Sequence, residues 1–223
     1  MENASETSDR KTALLFGATG LVGNFLLQDL LADERYSTVR IFLRRPSGKT
    51  HPKLEELIVD FNKPESFRAK VRGDELFCCL GTTIRAAGSQ EAFRKVDFQF
   101  VKEAAEAAKA NGVRSFLAVS SLGADARSLN FYYRTKGEME NAVLAMNFPQ
   151  CVIFRPSMLL GPRSEFRLGE LAGKIIMTAF SFLMPAKYKA IKASVVAKAM
   201  LKAANDVSVN GILESNQVRQ LVK

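Results

Sequence analysis

Tyr132 and Lys136 are the residues whose types and spacing most directly suggest chemistry. They lie four positions apart, next to a segment that predicts a helix over residues 134–146, so their side chains share one helix face. An ammonium group beside a phenol favours the phenolate, and such a tyrosine can exchange a proton with a carbonyl or alcohol oxygen. Tyr133 lacks this arrangement, because Gly137 stands four positions after it. The Tyr132–Lys136 pair therefore predicts acid–base catalysis.

Ser120 and Ser121 come directly after an apolar run that predicts a strand over residues 113–119. Ligands of open α/β sheets bind beyond the carboxyl ends of the strands. Either hydroxyl could therefore donate a hydrogen bond to a substrate oxygen. Capping of the strand end is the competing interpretation of this serine pair.

A glycine-rich loop is the strongest local signal in the chain. It follows a strand predicted over residues 12–16 and opens a helix predicted over residues 21–31. In dinucleotide-binding proteins the first glycine permits a tight turn, the second lets the backbone approach a pyrophosphate, and the third allows close helix–strand packing. An ordinary turn is the alternative, but the position after the first strand favours a dinucleotide site. The residues of the loop are Gly17, Ala18, Thr19, Gly20, Leu21, Val22 and Gly23.

Arg44 and Arg45 follow the second predicted strand, residues 39–43. An NAD-specific site usually has Asp or Glu near this position, where its carboxylate holds the ribose 2′-hydroxyl. A carboxylate would repel the 2′-phosphate of NADP, whereas guanidinium groups pair with phosphate in a bidentate manner. The sequence therefore favours NADP(H) as the cofactor. A pair of solvated surface arginines is the alternative.

Predicted strands and helices alternate along the chain, which indicates parallel βαβ units. Further strands are predicted at residues 57–59, 75–80 and 152–154, and a helix at residues 91–110 that Asn111 and Gly112 end. The expected fold is α/β, a doubly wound parallel Rossmann sheet with a small C-terminal cap. Residues 1–10 are expected to be a disordered tail, residues 11–154 the NADP-binding core, and residues 155–223 a cap region that completes the substrate site.

Composition narrows the classes of function. The net charge is +9, but the basic residues are scattered and no nucleic-acid-binding module is recognisable, so a solvated surface together with a site for an anionic cofactor is the preferred explanation. The three cysteines and the single histidine have no metal-site spacing, and they predict a reducing compartment. The apolar stretch of residues 175–186 is too short for a membrane span, which needs about 20 residues. No signal peptide is visible, and a cytoplasmic protein is expected.

The motifs taken together resemble a known family. Gly-Ala-Thr-Gly-Leu-Val-Gly, Val-Asp-Phe (59–61), Phe-Cys-Cys-Leu-Gly-Thr-Thr (77–83), Val-Ser-Ser-Leu-Gly-Ala (119–124), Tyr-x-x-x-Lys (132–136) and Phe-Arg-Pro (154–156) occur in this order. In this respect the chain resembles the atypical short-chain dehydrogenase/reductases, and within them the Tat-interacting oxidoreductase-like branch. The resemblance extends from Lys11 to about Ala204, and the Cys-Cys-Leu-Gly-Thr-Thr stretch is its most specific part.

The resemblance implies a set of functional residues. It makes Tyr132 the proton donor or acceptor, and it matches the usual catalytic serine to Ser121 better than to Ser120. It also implies that Asp60 and Phe61 lie near the adenine. Further NADPH contacts are implied for the glycine loop, Arg44, Arg45, Leu80, Gly81, Thr82, Tyr132, Lys136, Leu159 and Arg167.

Three functions remain open from the sequence. The first is an NADPH-dependent oxidoreductase acting on a small carbonyl or alcohol substrate, with Tyr132, Lys136 and a serine at the site. The second is a regulatory or sensor protein whose NADPH occupancy sets its affinity for a protein partner. The third, a nucleotide-sugar epimerase or dehydratase, is disfavoured because the C-terminal region is short. The substrate, the direction of hydride transfer and the oligomeric state stay open.

Overall fold

The computed structural model describes residues 10–161 and 185–223, and its centre is a seven-stranded parallel sheet. A separate two-stranded parallel ladder joins β7 to β8. The strands are β1 (Lys11–Phe16), β2 (Tyr36–Leu43), β3 (Leu54–Ile58), β4 (Glu75–Cys78), β5 (Ser115–Val119), β6 (Gln150–Arg155), β7 (Leu159–Leu160), β8 (Ile191–Lys192) and β9 (Gly211–Glu214).

Helices connect the strands. Those in the described residues are α1 (Leu21–Ala32), α2 (Ile84–Ala87), α3 (Gln90–Arg94), α4 (Phe100–Ala110), α5 (Phe131–Leu144), α6 (Ala193–Ala204) and α7 (Ser215–Gln220). A π-helical turn, Lys95–Gln99, joins α3 to α4, so the helix predicted over residues 91–110 is continuous but locally widened. It ends where predicted, since Gly112 adopts a φ of 80° after Ala110.

The strand order is β3-β2-β1-β4-β5-β6-β9. The chain builds the sheet outward from β1 in one direction and then returns to add β4 on the other side. The predicted doubly wound Rossmann fold is therefore confirmed. In such a sheet the crevice between the two strands at the reversal, here β1 and β4, is where ligands bind.

Alternation along β1 explains the two hydrophobic layers. Ala13 and Leu15 face the layer that contains α1 and α6, while Leu14 and Phe16 face the layer that contains α4 and α5. Because successive side chains of a strand point to opposite faces, a continuously apolar strand must be covered on both sides. The apolar strands β1, β4 and β5 are thus buried central strands, whereas the edge strand β3 is only partly buried.

The segment 155–223 was expected to form only a cap, but it also contributes a strand and a helix to the core. Its strand β9 pairs in parallel with β6, and α6 packs on the sheet together with α1. The strand has only four residues, Gly211–Glu214, too few to show a clear strand periodicity, so the sequence does not predict β9.

Some sequence-based expectations fall on residues that the structure does not describe. These are the tail of residues 1–10 apart from Arg10, most of the apolar stretch 175–186, and Arg167. Within residues 10–161 and 185–223, no helix has the length and apolar character needed to cross a membrane.

Candidate functional site

A cavity of about 1110 Å³ opens beyond the carboxyl ends of the central strands. Its walls come from the loops after β1, β4 and β5, from the first turns of α5 and from the chain after β6. Many of the residues singled out in the sequence lie on these walls. They are Thr19, Gly20, Leu21, Val22, Leu80, Gly81, Thr82, Ser120, Ser121, Tyr132, Lys136 and Leu159.

The glycine turn is tight because two of its glycines face backbone atoms. Gly17 has a φ of 81°, and a Cβ there would lie 2.5 Å from the carbonyl carbon of Cys79. A Cβ on Gly23 would lie 2.1 Å from the carbonyl oxygen of Gly17. These contacts exclude any side chain at either position. Gly17, Ala18 and Gly23 therefore shape the turn without lining the cavity.

Gly20 is the residue that opens the start of α1 to the cavity. It is the N-cap residue of α1, and no side chain caps the helix there. The first-turn amides and the positive end of the helix dipole suit a phosphate at this position. A Cβ on Gly20 would meet the Gly17 oxygen at 3.2 Å, so the turn leaves the backbone bare on the cavity wall. This cradle fits the pyrophosphate of a dinucleotide.

Arg44 and Arg45 lie beside the glycine turn, although neither lines the cavity. Phe42 of β2 is paired with Phe16 of β1, so the arginines and the glycine turn leave neighbouring strands at the same level. Both arginines are exposed. The two arginines thus follow the carboxyl end of β2, next to the glycine turn after β1. An extended ligand held by the glycine turn could reach them there.

Asp60 and Phe61 also lie outside the cavity wall. The Phe61 side chain is buried among Phe16, Phe67 and Phe100, with ring centroids 5.5–6.0 Å away. Hydrogen bonds from Asn62 to its carboxylate lower the pKa of the exposed Asp60. The phenylalanine ring is therefore part of the core, whereas the Asp60 carboxylate is exposed.

The two serines differ in their surroundings. Ser121 is half-buried and its hydroxyl donates to the Leu122 carbonyl oxygen at 3.3 Å. The Ser120 hydroxyl is buried and has no hydrogen-bond partner within the described part of the chain. Both serines line the cavity, and Ser121 can donate to a ligand oxygen only if its hydroxyl rotates away from the Leu122 carbonyl.

Helix α5 begins at Phe131, three residues before the predicted start. The Asn130 side chain accepts hydrogen bonds from the backbone amides of Tyr132 and Tyr133, which caps the helix. Tyr132 consequently lies in the first turn, one helical turn before Lys136. Its ring is half-buried and packs against Phe93 at 5.3 Å. Capping and packing together orient this phenol on the cavity wall.

Lys136 is buried, and its charge is balanced by a residue that the sequence did not single out. Its Nζ lies 2.7 Å from Oδ1 of Asp97, and the two side chains are 5% and 1% exposed. Burial by itself would lower the pKa of Lys136, but Asp97, with a smaller contribution from Tyr132, outweighs it and the pKa is raised. The lysine is therefore an ammonium ion at neutral pH.

Asp97 is the functional candidate that sequence analysis missed. A signal for it exists: Phe93, Asp97, Val101 and Ala104 recur at helical spacing, and the other three are buried hydrophobic residues. A carboxylate on the buried stripe of a helix needs a partner. Nothing local in the sequence identifies that partner as Lys136, which lies 39 positions later.

Comparison with known proteins agrees with this geometry. A family model described as NAD(P)H-binding matches residues 17–207. The chain is 37% identical over 164 residues to Protein HTATIP2 of Rattus norvegicus, covering 72% of this chain and 67% of that protein. It is 38% identical over 156 residues to the mitochondrial protein FMP52 of Debaryomyces hansenii, covering 69% of each.

Solved structures share the fold at low sequence identity. The Bordetella bronchiseptica enzyme WbmH, solved in complex with NAD⁺, has a TM-score of 0.70 at 17% identity, over 92% of this chain and 75% of that one. An ADP-L-glycero-D-manno-heptose-6-epimerase of Helicobacter pylori has a TM-score of 0.69 at 20% identity, over 94% and 80%. At these identities the similarity concerns the fold alone.

These relatives correct one expectation and confirm another. A cytoplasmic location was expected from the sequence, but several of the relatives are proteins named as mitochondrial, so that expectation is wrong. The absence of a visible signal peptide was a poor guide to the compartment. The resemblance drawn from the motifs, by contrast, is confirmed: this chain belongs to the NAD(P)H-binding Rossmann family and is a homologue of HTATIP2 and FMP52.

Proposed function

We propose that this protein is an NADPH-dependent oxidoreductase acting on a small carbonyl or alcohol substrate. The observation that carries the proposal is the meeting of two sets of residues on one cavity. Tyr132, Lys136 and the serine pair line the same walls as the start of α1. A candidate proton-transferring group and a candidate dinucleotide cradle thus share one open cavity.

The cofactor, when bound, supplies or accepts the hydride, and the chain's own residues manage the proton. In the reducing direction the Tyr132 hydroxyl donates its proton to the carbonyl oxygen of the substrate. The Lys136 ammonium stabilises the phenolate that remains, because opposite charges attract strongly where water is excluded. Ser120 or Ser121 donates a hydrogen bond to the same oxygen and orients it.

The preference for NADPH over NADH is supported by Arg44 and Arg45. They are exposed, and they leave β2 at the level of the glycine turn, beside the cradle for the pyrophosphate. No Asp or Glu stands between residues 34 and 55 to oppose a 2′-phosphate there. We place the adenosine end of the cofactor over this edge.

The substrate side of the cavity supports an apolar partner. Leu122, Pro156, Met158 and Tyr188 line this part of the wall, and Met158 and Tyr188 are 42% and 47% exposed. The charged residues on the described walls, Asp97 and Lys136, are paired with each other. We therefore propose that residues 155–223 complete the substrate site and that the body of the substrate is neutral and apolar.

Cofactor preference is tested by calorimetry with NADPH and NADH. One charge-assisted pair contributes about 1.5–3 kcal/mol, so we expect NADPH to bind roughly ten- to a hundredfold more tightly. The double variant Arg44→Ala, Arg45→Ala should lose that preference. The matched control, Arg72→Ala with Arg114→Ala, removes two exposed arginines just before β4 and β5, at the opposite edge of the sheet. Equal affinities in the unmodified protein would refute the NADPH preference.

Turnover is tested by following NADPH absorbance with matched sets of aldehydes and ketones. We expect apolar carbonyl compounds to be reduced and carboxylated analogues of the same size to be poor substrates. Tight NADPH binding without turnover of any of these compounds would favour the sensor function instead. Preferred turnover of the carboxylated series would refute the apolar substrate.

A further inference from the structure

Tyr133 and Tyr188 line the cavity together with Tyr132, but the proposed reaction uses neither of them. Tyr133 belongs to the first turn of α5, and Tyr188 belongs to a short helical turn before β8; they are 38% and 47% exposed. Helix α5 packs in the layer of α4, whereas β8 packs in the layer of α1 and α6. The two rings therefore reach the cavity from elements on opposite faces of the sheet.

The Tyr133 ring is held against the chain after β5. A Cβ at Gly123 would lie 3.2–3.6 Å from three carbons of this ring, so a side chain at that position would displace it. The φ of Gly123, 86°, also favours glycine there. On its other side the ring meets the Tyr132 ring in a T-shaped arrangement, with centroids 5.4 Å apart. A ring that is already fixed loses little rotamer freedom when a ligand binds, which leaves more of the contact energy as affinity.

The main chain around Tyr188 is fixed by α7. The Arg219 guanidinium donates hydrogen bonds to three carbonyl oxygens on both sides of the tyrosine, those of Ala186 at 2.7 Å, Lys189, and Ala190 at 3.1 Å. The Lys187 Nζ lies over the Tyr188 ring, 5.1 Å from its centroid. Tyr188 thus contributes its ring to the cavity wall from a segment that the last helix holds in place.

The distance from the proposed acid limits which part of a substrate these rings can contact. A carbonyl oxygen that accepts the Tyr132 proton places the atoms next to the carbonyl beside the Tyr133 ring, because the two tyrosine rings are neighbours. Aromatic pairs attract each other at centroid separations of about 4.5–7 Å. An aryl group bonded directly to the carbonyl carbon is compact enough to remain beside these rings. An aliphatic group of the same size gains burial there but no attraction between rings.

We propose that Tyr133 and Tyr188 are specificity-determining residues, which select an aryl aldehyde or aryl ketone as the substrate. The inference rests on the proposed function for its reaction, in which the aryl carbonyl compound, NADPH and a proton become the benzylic alcohol and NADP⁺. Recognition of the aryl group can be measured without turnover, so the inference and the proposed function can fail separately.

The first experiment measures binding of two amides to the full chain in the presence of NADP⁺. Benzamide and cyclohexanecarboxamide have the same carbonyl group and similar sizes, and neither reacts because NADP⁺ carries no hydride. The saturated compound is at least as apolar, so a wall that is merely apolar would bind it equally well or better. Aromatic contacts add roughly two- to twelvefold in affinity for each ring pair. We therefore expect benzamide to bind more tightly by at least that factor in an NMR titration.

The second experiment removes one ring at a time. Tyr133→Leu and Tyr188→Leu keep an apolar side chain, and each should lower the preference for benzamide by roughly two- to twelvefold while NADPH affinity stays native. Tyr133→Phe keeps the ring and should keep the preference. The matched control is Phe131→Leu, which removes a neighbouring aromatic side chain of α5 that does not line the cavity, and it should leave the preference unchanged.

Kinetics then separate the inference from the proposed function. With acetophenone and cyclohexyl methyl ketone as the matched pair, Tyr133→Leu should raise KM for the aryl ketone and leave kcat nearly native, because Tyr132 and Lys136 are intact. If neither ketone is reduced but the benzamide preference falls in the leucine variants, the aromatic site stands and the reaction falls. If the unmodified protein shows no preference for benzamide, or the preference survives both leucine substitutions, the selection of an aryl group is overturned whether or not carbonyl compounds are reduced.

Discussion

Buried charged residues lie at both the amino ends and the carboxyl ends of the central strands, which we call the amino edge and the carboxyl edge. The two groups differ in whether their partners lie within the protein. At the amino edge, where β1, β2 and β4 begin, Glu75 is 3% exposed and accepts hydrogen bonds from Tyr36 and Lys11, each at 2.5 Å. Asn205 after α6 donates to the Tyr36 hydroxyl at 3.4 Å. Each of these groups has its partner inside the protein, and this cluster borders no part of the cavity.

At the carboxyl edge the residues with buried polar side chains line the cavity. Lys136 and Asp97 are paired, but the buried Ser120 hydroxyl has no partner in the described part of the chain. An unsatisfied buried hydroxyl costs stability, about 1–3 kcal/mol. A ligand oxygen can satisfy it. The amino-edge cluster is thus satisfied within the protein, whereas the carboxyl edge contains a buried hydroxyl that has no partner in the described residues.

Two tyrosines test this difference most sharply. Tyr132→Phe removes one hydroxyl from the carboxyl edge, and turnover of any substrate found should fall by about 10²–10⁴-fold, the usual contribution of a general acid. Cofactor affinity and the melting temperature should change little, because Lys136 and the glycine turn are intact. Tyr133→Phe on the neighbouring residue should leave turnover nearly unchanged. Steady-state kinetics of the two variants measure these effects. Native turnover in Tyr132→Phe would contradict the mechanism.

Substitutions at two glycines test the difference between the carboxyl edge and the amino edge. Gly20→Val adds a branched side chain to the cavity wall, where a steric cost of about 1–3 kcal/mol would weaken NADPH binding roughly five- to 150-fold. Gly73→Ala, near the amino edge, places a Cβ 2.8 Å from the Thr12 carbonyl oxygen and should cost stability instead. Calorimetry and thermal unfolding of both variants separate the effects. Normal NADPH binding by a folded Gly20→Val protein would reject the cradle.

Tyr36→Phe is the amino-edge counterpart of Tyr132→Phe. It removes the hydroxyl that donates to the buried Glu75 carboxylate, and a hydrogen bond to a charged group contributes about 1.5–3 kcal/mol. We expect the free energy of unfolding, measured with urea, to fall by that amount while NADPH affinity and turnover stay native. A loss of turnover without a loss of stability would mean that the two edges are not separate in function.

The pH dependence of stability gives the smallest effect. Burial and the nearby Glu75 raise the pKa of Tyr36 in the folded protein, so the unfolded chain loses this proton first as pH rises above about 10. The stabilisation from Tyr36 is therefore fully present below that pH and is lost above it, by about 1 kcal/mol near pH 11. The difference in stability between the native protein and Tyr36→Phe should shrink over this range. A constant difference would show that the pKa of Tyr36 is not raised.

Local features of the sequence were enough to predict the fold class and part of the candidate site. The buried strands were visible as apolar runs, and the glycine loop and the Tyr132–Lys136 spacing were visible because each depends on neighbours along the chain. Helix α5 began earlier than predicted because its start depends on the cap from Asn130, a detail of backbone geometry. Strand β9 was missed because its four residues show no periodicity and form a strand only by pairing with β6.

Tertiary structure alone decided which buried charges are partners. Asp97 and Lys136 are 39 positions apart, and Tyr36 and Glu75 have the same separation, yet one pair lies at the cavity and the other at the opposite edge of the sheet. Sequence periodicity places a residue on the buried face of its own helix or strand, but it does not say which element packs against that face. A buried charge needs a partner across that packing, and the partner is known only once the sheet order brings the elements together.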